Sequence, residues 1–409
     1  MKTPTIQLIP LRNAVSSDAT TTLDIIVRII PPQPETTLKR PKLNLGLVID
    51  RSGSMQGQKI EYARQAACYA VQQLLPSDRV SVTIYDNEID VLVPSTLVEN
   101  KASILSRIQT IQPRGSTALF DGWVEAGMQV SKYLQSDQLN RILLLSDGLA
   151  NVGETNPDAI ASHVQGLVKH GVSTSTMGIG DDYNEDLMQA MANSGDGNYY
   201  YIQSPEQLPS IFATELQGIM ATMGSQVSLG IKPIFGVSVV EVYNNLEKTI
   251  YDRYKLPNLV ANNNIEVALR LKVPPMTQES PLCKFRLAWN FPDQPGRQKI
   301  KETLQLPVVS SAQLEEFPVN EEVKQRIAQF LSARAKEEII SNLDSGNYAA
   351  AKSSIEAARQ ELSSAPPSPE MQQELESLEQ LESQLEAKDY KKMRKQASFE
   401  AYKRHRSRS

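Results

Sequence analysis

Hydrophobic positions change their spacing twice along the chain, and the changes divide it. In "TTTLDIIVRII" the residues Leu23, Ile25, Val27 and Ile29 alternate on one face, the period of a strand. "PPQPE" ends that pattern. From Pro41 short apolar runs alternate with helix-spaced segments. "KLNLGLVID" reads as a buried strand, "GQKIEYARQAACYAVQQLL" as a helix and "SDRVSVTIYD" as the next strand, from which "IDVLVPST" returns antiparallel. Helices are predicted near residues 101–108 and through residue 134, then a core strand at "RILLLSD". "NPDAIASHVQGLVKH" is a helix with Asn156 as cap and Pro157 at its first position. "GVSTSTMGIG" and "GNYYYIQ" are strands around a helix near residues 184–193, and "SPEQLPSIFATELQGIM" is a last helix. Strands alternating with helices predict a doubly wound, mainly parallel α/β sheet covered on both faces.

From about residue 225 strands follow one another without helices: "QVSLGIKPIFGVSVVEVYN", "NIEVALRLKV", "CKFRLAWN" and "KIKETLQLPVV". That texture predicts an antiparallel sandwich. The N-terminal strands have no other sheet to join, so residues 1–40 and 225–315 are expected to form one β-sandwich with the α/β domain, residues 41–224, inserted in it. Residues 316–389 read as a C-terminal helical region, with two helices around Gly346–Asn347 and a later run whose Met371, Leu375, Leu378 and Leu385 form a seam, expected to pack on its own helices, with another subunit as the alternative. Residues 390–409 carry eight Lys or Arg against one Glu and read as a solvated, partly disordered basic tail.

Composition narrows the class. The 409 residues include 40% hydrophobic and 22% charged positions, ordinary for globular domains, and a net charge of −5 gives no reason to expect specific nucleic-acid binding. Two cysteines far apart, Cys68 and Cys283, do not make a disulfide framework and favour a reducing compartment. "MKTPTIQLIPLRN" lacks a signal-peptide apolar core, and no window approaches the ~20 apolar residues of a membrane span. A cytoplasmic protein is the expectation.

The chemistry concentrates in "LGLVIDRSGSMQGQK". A buried strand ends in Asp50, and Ser52 and Ser54 follow at alternate positions in a turn that Gly53 and Gly57 allow to curl. "RGSTALFDG" brings Thr117 to the entry of a helix, and "LLLSDG" ends its strand in Asp147. Loops at the carboxyl edge of a parallel sheet are where such folds hold ligands. Two carboxylates and three hydroxyls, with no His or Cys, suit a hard cation such as Mg²⁺ or Mn²⁺ and suit zinc poorly. Two carboxylates neutralise a divalent ion and hydroxyls add no charge; with Asp147 acting through water the inner shell carries little negative charge, the ion stays electrophilic with an open position, and a carboxylate from outside is its natural occupant.

"DRSGSM", "GSTAL" and "LSDG" resemble the three segments of the metal-ion-dependent adhesion site of von Willebrand factor A domains, and "TMGIGDDYNEDLMQAMANSGDGNYYYI" resembles the end of bacterial members of that family. The resemblance covers about residues 41–222. It implies that Asp50, Ser52, Ser54, Thr117 and Asp147 hold one Mg²⁺, and that an Asp or Glu of a partner protein completes the shell. It also implies a non-enzymatic interaction module, and a last helix, "PEQLPSIFATEL", that shifts with coordination at the site. A scaffold with a purely structural ion and partners on the helical tail is the alternative. A phosphatase-type hydrolase is a poorer one, because Ser52 stands where its second Asp is required. No P-loop occurs, no small-molecule substrate is evident, and His163, His170 and His405 assemble no triad: the first two lie seven residues apart on one helix, the third in the basic tail.

Overall fold

The computed structural model describes residues 3–32, 41–135, 138–291 and 294–407, with the backbone alone at 294–295. Part of the break read at "PPQPE", and the expected boundary after residue 40, fall on residues 33–40, outside the described residues. The chain divides into two compact units, one contiguous apart from a four-residue excursion (35–222 with 292–295) and one assembled from both ends of the sequence.

The chain starts with β1 (Thr5–Pro10), β2 (Val15–Ser16) and β3 (Thr21–Ile30). The contiguous unit follows. Its elements are β4 (Lys42–Asp50), α1 (Gln58–Gln73), β5 (Arg79–Tyr85), β6 (Ile89–Leu97), α2 (Lys101–Gln109), α3 (Leu119–Ser131), β7 (Gln138–Ser146), α4 (Pro157–Lys169), β8 (Val172–Ile179), α5 (Glu185–Ser194), β9 (Asp196–Ile202) and α6 (Leu208–Met220). Its six-stranded sheet has the order β6-β5-β4-β7-β8-β9. Every neighbouring pair is parallel except β5–β6. β4 lies centrally, between β5 and β7, and is buried on both faces because helices cover both. Ile60, Ala63, Ala67 and Val71 of α1 share one core with Phe212, Leu216 and Ile219 of α6 and with Leu43, Leu45, Leu47 and Ile49 of β4. On the other face α3 comes so near β4 that a Cβ on Gly46 would stand 2.9 Å from Val130, which is why that strand position has no side chain.

The chain leaves β4 toward β5 on one side of the sheet and later reaches β7 on the other. The strand order therefore reverses at β4–β7, and the loops that follow these strands flank the resulting crevice.

The second unit holds β10 (Thr222–Pro233), β11 (Ser238–Val242), β12 (Tyr254–Lys255), β13 (Leu259–Val260), β14 (Ile265–Val273), β15 (Pro281–Phe291), β16 (Gln294–Gln305) and β17 (Val308–Val309) together with β1–β3. One sheet runs β1-β3-β14-β11 and the other β12-β10-β15-β16, with β13 on β10. β3 pairs with β14 from Thr21↔Val273 to Ile29↔Ile265, so the N-terminal strands share a sheet with a later one. Leu23, Ile25, Val27 and Ile29 face Val227, Leu229, Phe285, Leu287 and Trp289 of the opposite sheet across the core.

Four long helices complete this unit after the short α7 (Ser311–Leu314): α8 (Glu321–Asp344), α9 (Tyr348–Ser364), α10 (Pro369–Glu386) and α11 (Tyr390–His405). Met371, Leu378, Leu381 and Leu385 of α10 pack with Ile339, Ile355 and Leu362, so the seam is spent within this chain. The outer face of β3 and β14 is not solvated: Ile26 and Ala268 meet Val323, Ile327 and Phe330 of α8. The basic segment is not a loose tail. Residues 390–405 are a helix whose Met393, Ala397, Ala401 and Tyr402 are buried. His405 is buried too, its Nδ1 accepting from the Asn245 N–H at 3.1 Å. Ser407 Oγ accepts from the Glu266 N–H at 2.8 Å and donates to the Glu266 carbonyl at 2.9 Å. No helix among the described residues is long and apolar enough to cross a membrane.

Candidate metal centre

Asp50 ends β4 with no exposed surface, in register with Tyr85 of β5. Its two oxygens are held from different directions. Oδ1 accepts the Ser52 N–H at 2.8 Å, and Oδ2 accepts the Ser146 hydroxyl at 2.6 Å and the Tyr85 hydroxyl at 3.4 Å. Burial pushes its carboxyl up to about 6, against the pull of the Ser146 and Ser52 hydrogen bonds, and the nearby Asp147 charge adds to the rise.

The three loops meet through their side chains. Ser52 Oγ and Ser54 Oγ are 3.0 Å apart, and Ser54 Oγ donates to Asp147 Oδ1 at 2.7 Å. Asp147 is fully buried at the end of β7. The glycine after it leaves space where the loops converge: a Cβ on Gly148 would stand 3.4 Å from Thr117 Oγ1 and 3.5 Å from Ser54 Oγ. Thr117 is buried and its N–H donates to Asn151 Oδ1 at 3.0 Å, which ties its loop to the one after β7. Ser54 and its neighbours Gly53 and Gln56 are exposed, so the cluster opens to solvent on that side. The five residues singled out in the sequence therefore lie in one place, at the point where the strand order reverses.

Backbone contacts fix these loops further. The Gly53 N–H donates to the Gly115 carbonyl at 3.1 Å and the Arg114 N–H to the Arg51 carbonyl at 2.7 Å. Gly115 has φ +69°, and a Cβ there would run into Asn87 Oδ1 at 2.1 Å, so this turn needs glycine. Buried Asp86 is the anchor beneath: Arg51 Nε lies 3.1 Å and Arg114 Nε 2.6 Å from its Oδ2. Burial alone would raise the Asp86 carboxyl, but the Glu88 N–H and the two guanidiniums outweigh it and hold the carboxyl low.

Sequence reasoning missed several supporting groups: Ser146 and Tyr85 on Asp50, Asn151 on Thr117, the Asp86–arginine anchor, and Lys59, whose ammonium pairs with Asp147 Oδ2. Ser146 stood in view within "LSDG", but its direction along the strand is what gives it to Asp50. Exposed His163 and His170 lie outside the cluster, as expected. Among the described residues no group of three or more His, Cys, Asp or Glu is placed to hold a metal. Hydroxyls must supply much of any coordination here, and an all-oxygen set with two carboxylates fits a hard divalent cation.

Comparison with known proteins agrees with this geometry. The family model for the von Willebrand factor type A domain matches residues 44–214. The uncharacterized protein sll0103 of Synechocystis is 32% identical over 169 residues, 41% of this chain and 40% of that one. The uncharacterized protein YfbK of Escherichia coli is 31% identical over 194 residues, 47% of this chain and 34% of its own length. The chain thus spans well under half the length of these relatives. In structure, the von Willebrand factor type A protein from Catenulispora acidiphila superposes with a TM-score of 0.70 at 16% identity, over 92% of this chain and 89% of that one, so the fold is shared across nearly the whole length. The α/β unit, with its reversal of strand order and its cluster of acidic and hydroxyl side chains, is a von Willebrand factor type A domain.

Proposed function

We propose that Asp50, Ser52, Ser54, Thr117 and Asp147 together bind one divalent cation, Mg²⁺ with Mn²⁺ as the alternative, and that the loaded site captures an Asp or Glu side chain of a partner protein. The protein acts in this reading as a metal-dependent binding module, not an enzyme. What supports it above all is the connected path from Ser52 through Ser54 to Asp147, with Thr117 converging on the same Gly148 and Ser54 open to solvent. The path joins loops from three places in the chain, as a coordination sphere requires. When bound, the cation supplies Lewis-acid attraction for a carboxylate, while the protein's part is to hold its oxygens in a fixed cradle. The sandwich (1–40 with 225–315) and the helical region (316–389 with 390–409) serve as the frame that carries the module. Buried, unpaired Cys68 and Cys283 favour a reducing, cytoplasmic setting.

An affinity capture with and without EDTA tests this, comparing wild type with Asp50→Ala. Prey retained by wild type in Mg²⁺, and lost both on chelation and in the variant, is the expected result. Prey that survives both treatments would show that partners bind elsewhere.

A further inference from the structure

We propose that Lys59 sets the charge of this metal centre: it is a tethered cation that offsets one of the two carboxylates, weakening metal binding but leaving the loaded site with the positive charge an acidic guest needs. Lys59 lies outside the five proposed ligands, and its role rests on that reading of the site.

Lys59 is the second residue of α1, which starts at Gln58. Helix N-termini present unpaired N–H groups and disfavour cations there, so helix stability gives no reason for a lysine at this position. Its ammonium instead crosses to Asp147 and donates to Oδ2. Asp147 is fully buried, whereas the Lys59 side chain keeps 29% of its surface. On the other side the Lys59 Nζ would stand 4.0 Å from a Cβ on Gly180, so the loop after β8 leaves room for the ammonium. The acidic side chain next along that loop, Asp181, is taken up by the Tyr201 hydroxyl at 2.6 Å. The Asp147 carboxylate therefore carries two partners of different kinds: a neutral hydroxyl from Ser54 on Oδ1 and a full cation on Oδ2.

The charges then add up differently. Asp50 and Asp147 supply two negative charges, and the three hydroxyls supply none. A divalent cation alone would bring that set to neutrality, and a guest carboxylate would gain nothing from net charge. With Lys59 fixed on Asp147 the loaded site is left with one positive charge, which a single guest carboxylate cancels. The same lysine opposes the metal, because two cations share one buried carboxylate where dielectric screening is weak. If Lys59 were only a strut for the loop after β7, removing it would loosen the cradle and weaken metal binding. A charge-setting role has the opposite sign.

The test is a Mn²⁺ titration of the full chain by electron paramagnetic resonance for wild type, Lys59→Met and Lys59→Arg, with folding checked by circular dichroism. Lys59→Met, which keeps the apolar stem, is expected to bind Mn²⁺ about tenfold more tightly, and Lys59→Arg to stay within about threefold of wild type. Acetate is then titrated into each Mn²⁺-saturated protein and followed by water-proton relaxation. Lys59→Met should need about tenfold more acetate than wild type to displace inner-sphere water. Unchanged or weaker Mn²⁺ binding by folded Lys59→Met, or an unchanged acetate requirement, overturns the role of Lys59 and leaves the five-ligand reading standing. A wild type that binds no Mn²⁺ overturns both. Should Lys59→Met misfold, Lys59→Gln takes its place under the same criteria.

Discussion

Asp50 is costly to the fold without a cation. It is a buried carboxylate held ionised by a few hydrogen bonds, and burial has pushed its carboxyl up to about 6. Ser146 provides the shortest of those bonds, 2.6 Å. Ser146→Ala is therefore expected to destabilise the metal-free protein by about 1–3 kcal/mol, the range for leaving a buried polar group short of a partner. Urea unfolding near neutral pH measures it. The five ligand candidates were legible in the sequence because three loops each carried an oxygen side chain beside a strand end or helix start. Ser146, Asn151 and Lys59 were not, because what they do depends on where neighbouring loops lie, and a chain read in one dimension does not hold that information.

Elements show the same division. The alternation of β3 and the capped start of α4 announced themselves, because backbone period and local hydrogen bonding act over a few residues; the Asn156 side chain accepts from the Asp158 and Ala159 N–H groups as its position implied. α11 was hidden. Its Met393, Ala397 and Ala401 recur every fourth residue, but the lysines and arginines between them mask the stripe, and the break before it occurs at Lys388 with φ 59° rather than at a glycine. Its polar residues are also structural. Buried Lys336 of α8 lies 2.9 Å from Glu374 of α10 and 2.7 Å from Glu400 of α11, and Arg404 reaches Glu374 at 2.8 Å. Burial would raise the Glu374 carboxyl, but Lys336 and then Arg404 outweigh it and hold it at about 2. A carboxyl lower in the folded than in the unfolded chain stabilises the fold above pH ~4.5, and that contribution is lost as pH falls toward ~2. Acid titration of helicity should show this loss, on the order of 2–3 kcal/mol, and Glu374→Gln should flatten the curve over the same window. α6 is similarly pinned: buried Glu215 accepts from Ser175 at 2.5 Å and from Tyr200 at 2.7 Å. These bonds tie α6 to β8 and β9, so Glu215→Gln should leave α6 amides exchanging faster with deuterium.

At the scale of the molecule, the two compact units have separate hydrophobic cores. A ligand that binds one folded unit raises the stability of that unit by mass action, by ~2.7 kcal/mol at a concentration a hundred times its Kd. Scanning calorimetry is expected to resolve two transitions, of which Mg²⁺ moves one. A single transition displaced as a whole would mean that the units unfold as one.

The pairing of β3 with β14 also bears on how the protein is made. Arg270 grips Asp24 across that pair, 246 residues along the chain, and Ser407 clasps Glu266 beside it. Domains take shape on the ribosome as their residues emerge. Residues 44–214, which match the A-domain family, are all made before β10 begins at Thr222. β3 by then has β1 beside it but not β14, and the framework around the pair closes only when the strands from residue 222 onward and the segment reaching Ser407 have been made. A stalled or truncated product would thus carry a finished binding module on an unfinished support, with the apolar row of β3 bare for chaperones and proteases to find.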